Sequence, residues 1–268
     1  MARAPRERGQ PPVLKKYGQH FLSDERILAA IVDALAPTES DTVVEVGAGR
    51  GSLTDILVER SGRVVAVEID RALAKQLGER YRNKPNVQVV QGDVLETDLH
   101  AIGGPDFLLI GNVPYYITTP IVFKALEPPI PRRSVFLVQR EVAERMAAKA
   151  DAEAYGALSV NVAAVANTEL VMTVPAGAFH PPPKVESAVI RLTPRATPLV
   201  NAESLPAFRA FVQAAFGLRR KQMLRVLRTV KALSPEKASA LLDQAGIDPT
   251  VRPEVLSPEQ FATLFALL

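Results

Sequence analysis

Apolar and polar positions change their period twice along this chain. From Ser23, Ile27, Leu28, Ile31, Val32 and Leu35 recur at helical spacing, and Ser23 stands where it can cap a helix running to about Ala36. Short apolar runs of strand length then alternate with amphipathic stretches. The strands expected are Thr42–Val46, Arg63–Ile69, Val87–Gln91, Phe107–Gly111 and Ser134–Gln139. The helices between and after them are Leu53–Arg60, Ala72–Tyr81, Ile121–Leu126 and Arg140–Ala150. Such alternation predicts a mostly parallel sheet covered by helices on both faces, an α/β fold. Leu170–Val174 and Val185–Leu192 come next, joined by a Pro-rich loop with no crossover helix. They should pair as a hairpin, which makes the last strand antiparallel. After a linker over 193–198 every segment reads as helix: about 204–217, 219–231, 235–245 and 257–267. The division expected is an arm over 1–16, a sheet domain over 17–198 and a small all-α domain over 199–268.

Composition narrows the chemistry. Of 268 residues, 47% are hydrophobic, which is a globular composition with ample length for a core. No apolar run is long enough to span a bilayer, and the basic, Pro-rich N-terminus lacks the apolar stretch of a signal peptide. These features point to a cytoplasmic chain with no membrane partner. There is no Cys, and the three His, at 20, 100 and 180, lie far apart, so no metal site is expected. The net charge of +3 is unevenly placed. Residues 1–20 carry five Arg or Lys against Glu7, and Arg219, Arg220, Lys221, Arg225, Arg228 and Lys231 crowd 219–231 with no acid between them. Clustered cations without interleaved acids are the footprint of a polyanion. Lys221, Arg225 and Arg228, at spacings of four and three, would share one helical face, with Leu218, Leu224 and Leu227 turned to the core.

The ends of the expected parallel strands carry the candidate site, because ligands of open α/β sheets bind there. Val43–Val46 runs into Gly47-Ala48-Gly49-Arg50-Gly51, a turn whose glycines allow close approach to a ligand, with Gly47 and Gly49 nearest the strand. Glu68 ends the next strand, 21 residues after Gly47, and can take both hydroxyls of a ribose. That carboxylate serves NAD or S-adenosylmethionine equally well. Asp93 ends the third strand and can bind an adenine N6 amine. The G-x-G-x-G spacing, unlike G-x-G-x-x-G, aims no helix at a pyrophosphate, which disfavours a nicotinamide oxidoreductase. Asn112-Val113-Pro114-Tyr115 follows the fourth strand. Its amide oxygen and the carbonyl before Pro114 can each accept one N–H of an exocyclic amine, and Tyr115 offers a face for stacking. The base implied is adenine.

The ordered set Tyr17-Gly-Gln-His-Phe-Leu22, Glu45-Val-Gly-Ala-Gly49, Glu68, Gly92-Asp93, Asn112-Val-Pro-Tyr115, Tyr155-Gly-Ala-Leu-Ser159, Phe179-His-Pro-Pro-Pro-Lys184 and Phe216-Gly-Leu-Arg-Arg-Lys221 resembles the KsgA/RsmA family over about residues 14–268. These are rRNA adenine N6,N6-dimethyltransferases. The resemblance implies a Rossmann-like S-adenosylmethionine-dependent methyltransferase sheet with a helical RNA-binding domain. It implies cofactor contacts at His20, Leu22, Gly47, Glu68, Asp93 and Asn112, and target-base contacts at Asn112, Pro114, Tyr115 and Phe179. The implied substrate is a pair of neighbouring adenosines in a hairpin loop near the 3′ end of small-subunit rRNA, within an immature small subunit. The chain is expected to act as a monomer. His20 and Tyr116 depart from the family's common form, in which each position is often Asn; neither is a required catalytic group.

On this reading the two acceptors hold the adenine N–H groups out of the ring plane, so that the nitrogen lone pair faces the sulfonium methyl. Tyr115 and Phe179 would sandwich the extruded base. Two other readings share the motifs. One is an adenosine methyltransferase of the macrolide-resistance type, acting on large-subunit rRNA. The other is a mainly structural ribosome-assembly factor.

Overall fold

The computed structural model describes residues 20–268, so the arm expected over 1–16 and the start of the Tyr17 motif lie outside the described residues. β1 (Phe21–Leu22) leads into α1 (Glu25–Leu35). There follow β2 (Thr42–Val46), α2 (Ser52–Arg60), β3 (Arg63–Glu68), α3 (Arg71–Arg80), β4 (Val87–Gln91), α4 (Leu99–Gly103), β5 (Phe107–Asn112) and α5 (Thr118–Ala125). Next come β6 (Arg133–Gln139), α6 (Arg140–Ala147), α7 (Ala157–Ala163), β7 (Ala166–Val174), β8 (Phe179–His180) and β9 (Ser187–Pro194). The chain closes with α8 (Leu205–Gly217), α9 (Met223–Val230), α10 (Pro235–Gln244) and α11 (Pro258–Ala266).

Seven strands form one sheet in the order β4-β3-β2-β5-β6-β9-β7. The first five are parallel, and β9 slots antiparallel between β6 and β7, as the loop without a crossover helix requires. Successive side chains of a strand face opposite ways, and the two faces separate cleanly here. Val43, Val64, Leu108, Ile110, Val135 and Leu137 pack with Ile31, Leu35 and Leu57 on one side. Val44, Val65, Leu109, Phe136 and Val138 face the other. That second cluster continues through Tyr155 and Leu158 into Phe208, Phe211, Leu227 and Phe261. The C-terminal helices are therefore seated on the sheet by a shared apolar core.

Four expectations need correcting. Asp24, not Ser23, caps α1: its carboxylate accepts from the N–H groups of Arg26 and Ile27. A carboxylate at a helix N-terminus also opposes the helix dipole, which favours it over the preceding hydroxyl. The helix after Gln139 stops at Ala147, and α4 and α7 are helices that the apolar pattern does not predict. In α7, Leu158, Val160 and Val162 alternate like a strand, and with Ser159 and Asn161 between them also buried, the segment shows no helical period in its apolar pattern. Finally, the basic helix starts at Met223 rather than 219. Gly217 ends α8, and a turn closed by the Lys221 N–H on the Leu218 carbonyl (2.7 Å) takes Arg219, Arg220 and Lys221 out of helical geometry. Lys221 thus shares no helical face with Arg225 and Arg228. The buried face of α9 is Met223, Val226 and Leu227, while Leu218 and Leu224 are only partly covered.

Candidate functional site

A cleft opens at the carboxyl ends of β2, β3, β4 and β5, with an empty volume of about 1050 Å³ including its mouth. Its floor is the glycine turn. Gly47, Gly49 and Gly51 all take left-handed φ values of +71°, +59° and +85°. A Cβ on Gly51 would lie 2.7 Å from the Tyr81 hydroxyl, so that position has no room for a side chain even apart from its φ.

Glu68 fastens this turn. Its Oε2 accepts the Gly49 N–H at 2.7 Å and its Oε1 accepts the Asp70 N–H at 2.8 Å. Burial raises its pKa above the ordinary carboxylate range against the lowering effect of those N–H bonds. Each oxygen keeps a second lone pair for a ligand. Asp93 lines the same cleft and accepts the Leu95 N–H at 2.9 Å, with Ile69 and Val94 adding apolar surface beside the two acids.

Glu45, buried beneath the cleft, is a lining group to which sequence reasoning assigned no role. Its Oε2 accepts from the Thr54 hydroxyl at 2.6 Å, and burial pushes its pKa up to about 8 despite that bond. The lining holds the Glu68 and Asp93 carboxyl groups, with Glu45 keeping its proton at neutral pH, and one guanidinium, Arg50, which lies 4.3 Å from the Phe21 ring centre. An acid-rich slot with apolar flanks and a glycine floor suits a nucleoside that carries a positive charge.

Asn112 closes the cleft at the end of β5. Its Nδ2 donates to the His20 carbonyl at 3.0 Å, which leaves Oδ1 as the open acceptor. Among the described residues nothing donates to the Val113 carbonyl, the group just before Pro114. Tyr115 is half-buried; its hydroxyl bonds the Ser187 hydroxyl at 2.5 Å, and its ring stacks on His20 at 5.8 Å and 21°. Ser187 lies 72 residues downstream and carries no local sequence signal.

Two motifs far apart in sequence meet at this wall. β1 pairs antiparallel with β8, setting Phe21 opposite His180 and Leu22 opposite Phe179. The His20 Nδ1–H donates to the Pro181 carbonyl at 2.7 Å. His20, Leu22, Gly47, Gly49, Glu68, Asp93, Asn112, Pro114 and Tyr115 all line the cleft; Phe179 does not. It is 4% exposed and packed in the sheet core, because pairing with Leu22 turns its ring inward. The basic residues lie on a separate part of the chain. Arg219 forms a salt bridge with Glu254 at 3.1 Å, while Arg220, Lys221, Arg225 and Arg228 are exposed.

The model of one family, ribosomal RNA adenine dimethylase, matches residues 13–268. The ribosomal RNA small subunit methyltransferase A of Alkaliphilus oremlandii is 43% identical over 258 residues, covering 93% of this chain and 90% of its own. Its namesake from Geobacillus thermodenitrificans is 41% identical, covering 93% and 89%. Among solved structures, a dimethyladenosine transferase from Plasmodium falciparum superposes with a TM-score of 0.77 at 25% identity, covering 91% of this chain and 96% of that one. The 23S rRNA methyltransferase ErmE superposes with a TM-score of 0.72 at 31% identity, covering 92% and 99%. With the acid-rich nucleoside slot and the Asn112 acceptor on one cleft, the chain belongs to the ribosomal RNA adenine dimethylase family, as an S-adenosylmethionine-dependent methyltransferase acting on rRNA.

Proposed function

We propose that this protein methylates the N6 amines of two adjacent adenosines in a 3′-terminal hairpin loop of small-subunit rRNA. The partner is the immature small subunit, and the enzyme acts as a cytoplasmic monomer without a metal. The observation that carries the reading is the Asn112 amide, held by the His20 carbonyl with its oxygen open to the cleft.

Glu68 would hold the ribose hydroxyls, and Asp93 the cofactor's adenine amine. Gly47, Gly49, His20 and Leu22 would supply surface around them. S-adenosylmethionine, when bound, supplies an electrophilic methyl on a sulfonium. The adenine N6 lone pair is delocalised into its ring and attacks poorly. Asn112 Oδ1 and the Val113 carbonyl, held in place by Pro114, would accept the two N–H groups and turn the lone pair out of conjugation. Positioning of this kind is worth up to roughly 7–11 kcal/mol in favourable cases. No strong base is required, because an alkylated adenine amine loses its proton readily. Tyr115 would carry the base on its ring, in the place His20 takes here. For Phe179 to close the other side, the β1–β8 pair must shift, because the ring is now turned into the core.

Residues 199–268 would form the RNA-binding part, with Arg219, Arg220, Lys221, Arg225 and Arg228 on phosphates. The Arg219–Glu254 pair lies at the surface, exposed on its Arg219 side, and a surface pair is worth about 0–1 kcal/mol, so a phosphate can displace it. The likeness to ErmE keeps a large-subunit substrate as the rival. Tritiated S-adenosylmethionine offered with purified precursor particles decides between them. Label is expected in small-subunit rRNA at adjacent adenosines; label only in large-subunit rRNA overturns the proposal.

A further inference from the structure

Single apolar side chains on a surface are common and mean little alone. Ile69, Tyr116, Leu170, Val185, Val255 and Leu268 are the large ones exposed among the described residues. Only Ile69 and Tyr116 line the cofactor cleft, and Tyr116 is both the most exposed, at 60%, and the only aromatic. The turn beneath it is firm: the Pro114 carbonyl accepts the Ile117 N–H at 3.1 Å and the Thr118 hydroxyl at 3.4 Å. Its neighbours turn inward, Tyr115 to Ser187 and Ile117 to the core. Among the described residues the Tyr116 ring stacks on no other ring and its hydroxyl makes no hydrogen bond. A ring fixed at its base and bare on its faces stands at the mouth of the cleft.

We propose that Tyr116 is a stacking platform for the base adjoining the target adenosine. This rests on the adenosine-methylation reading above. Extruding one base from a loop removes a stacking partner from its neighbour, and an aromatic at the mouth restores one. Base–aromatic stacking tolerates any base, since each has a π-face. Tyr116 would therefore sense that an unpaired neighbour is present, while Tyr115 and Asn112 act on the target itself. An Asn at this position offers no ring.

The test is a cycle between protein and RNA. Precursor small-subunit particles are assembled with rRNA that is intact, or that has an abasic residue on the 5′ or 3′ side of the target adenosine. With wild-type enzyme one abasic position is expected to raise KM by about 5- to 150-fold, with kcat changed less. Tyr116→Ala should show that loss on intact RNA and no further loss on abasic RNA; Tyr116→Phe should keep the wild-type sensitivity. An unchanged unfolding midpoint of Tyr116→Ala verifies its fold. If the alanine variant and the abasic residue multiply their losses, or neither changes KM, the stacking role is overturned. If wild-type enzyme fails to label the intact particles, the adenosine reading itself has failed, and the two failures are thus told apart.

Discussion

The cleft wall and the basic turn before α9 treat their polar groups in opposite ways. At the cleft, Glu68 holds two backbone N–H groups, Asn112 is tied to the His20 carbonyl, and Tyr115 is tied to Ser187. Across the turn and α9, Arg219 alone of the five cations forms a salt bridge, and the other four are exposed, with the charge of Arg228 felt by Glu236. The first region aims a few atoms and tolerates little displacement. The second presents charge with little fixed geometry, which is all that the proposed contact with a long polyanion would need. Pre-organisation and electrostatic attraction are thus housed in different parts of one chain, and substitutions should separate them.

The largest effect should follow from Asn112→Ala. Single-turnover methyl transfer is expected to fall by roughly 10²- to 10³-fold, the size seen when one pre-organised hydrogen-bonding group is removed from a transition state. RNA affinity should stay near wild type. Equal turnover in the variant would break the comparison at its first limb.

Buried Glu45 gives a pH test of the pinned region. Its carboxyl ionises near 4.5 when unfolded but holds its proton to about 8 when folded. Its contribution to stability is therefore complete below pH 4.5 and is lost as pH rises toward and through 8. The decline is roughly 1.4 kcal/mol per pH unit inside that window. Glu45→Gln should remove this decline and be the more stable form at neutral pH, since the amide oxygen can still accept from Thr54. Unfolding curves of the two proteins that run parallel from pH 5 to 8 would refute the account.

Glu68→Ala should weaken cofactor binding by roughly 1.5–3 kcal/mol, the range for hydrogen bonds to a charged group. The structure adds a second consequence: the turn N–H groups at Gly49 and Asp70 lose their acceptor, so thermal stability should fall as well. Calorimetry and an unfolding scan read the two effects; unchanged affinity removes Glu68 from the cofactor site.

The smallest effects belong to the cations. Neutralising Arg220, Lys221, Arg225 or Arg228 should flatten the salt dependence of particle binding by roughly 0.7–0.9 log units of slope for each phosphate left without its cation. Arg219→Ala should do less, because Glu254 already offsets its charge. Cofactor affinity should not move. A wild-type salt slope in the combined variant would mark this stretch as a solvated surface.

Much of this was legible locally. Thr42–Val46 and Val87–Gln91 are strands with the bounds their apolar runs predict, and the loop before β9 forced an antiparallel return. Glycine spacing and strand-end acids placed the cleft, because in a parallel sheet all those ends share one edge. What the sequence determined by itself were periods, turn residues and charges, all of which act over a few residues.

Tertiary structure alone decided the pairings across long separations. Nothing near Asn112 announces that the His20 carbonyl, 92 residues away, will orient its amide, or that Ser187 will anchor Tyr115. Phe179 reads as an aromatic in a Pro-rich loop; opposite Leu22 it becomes core. Arg219 stands in a stretch free of acids, yet Glu254 reaches it from the turn before α11. The sharp bend after Gly217 likewise removed Lys221 from the helix its neighbours suggested. A side chain's periodicity shows which face it can occupy, but its hydrogen-bond partner and final burial depend on what the rest of the chain brings to that face.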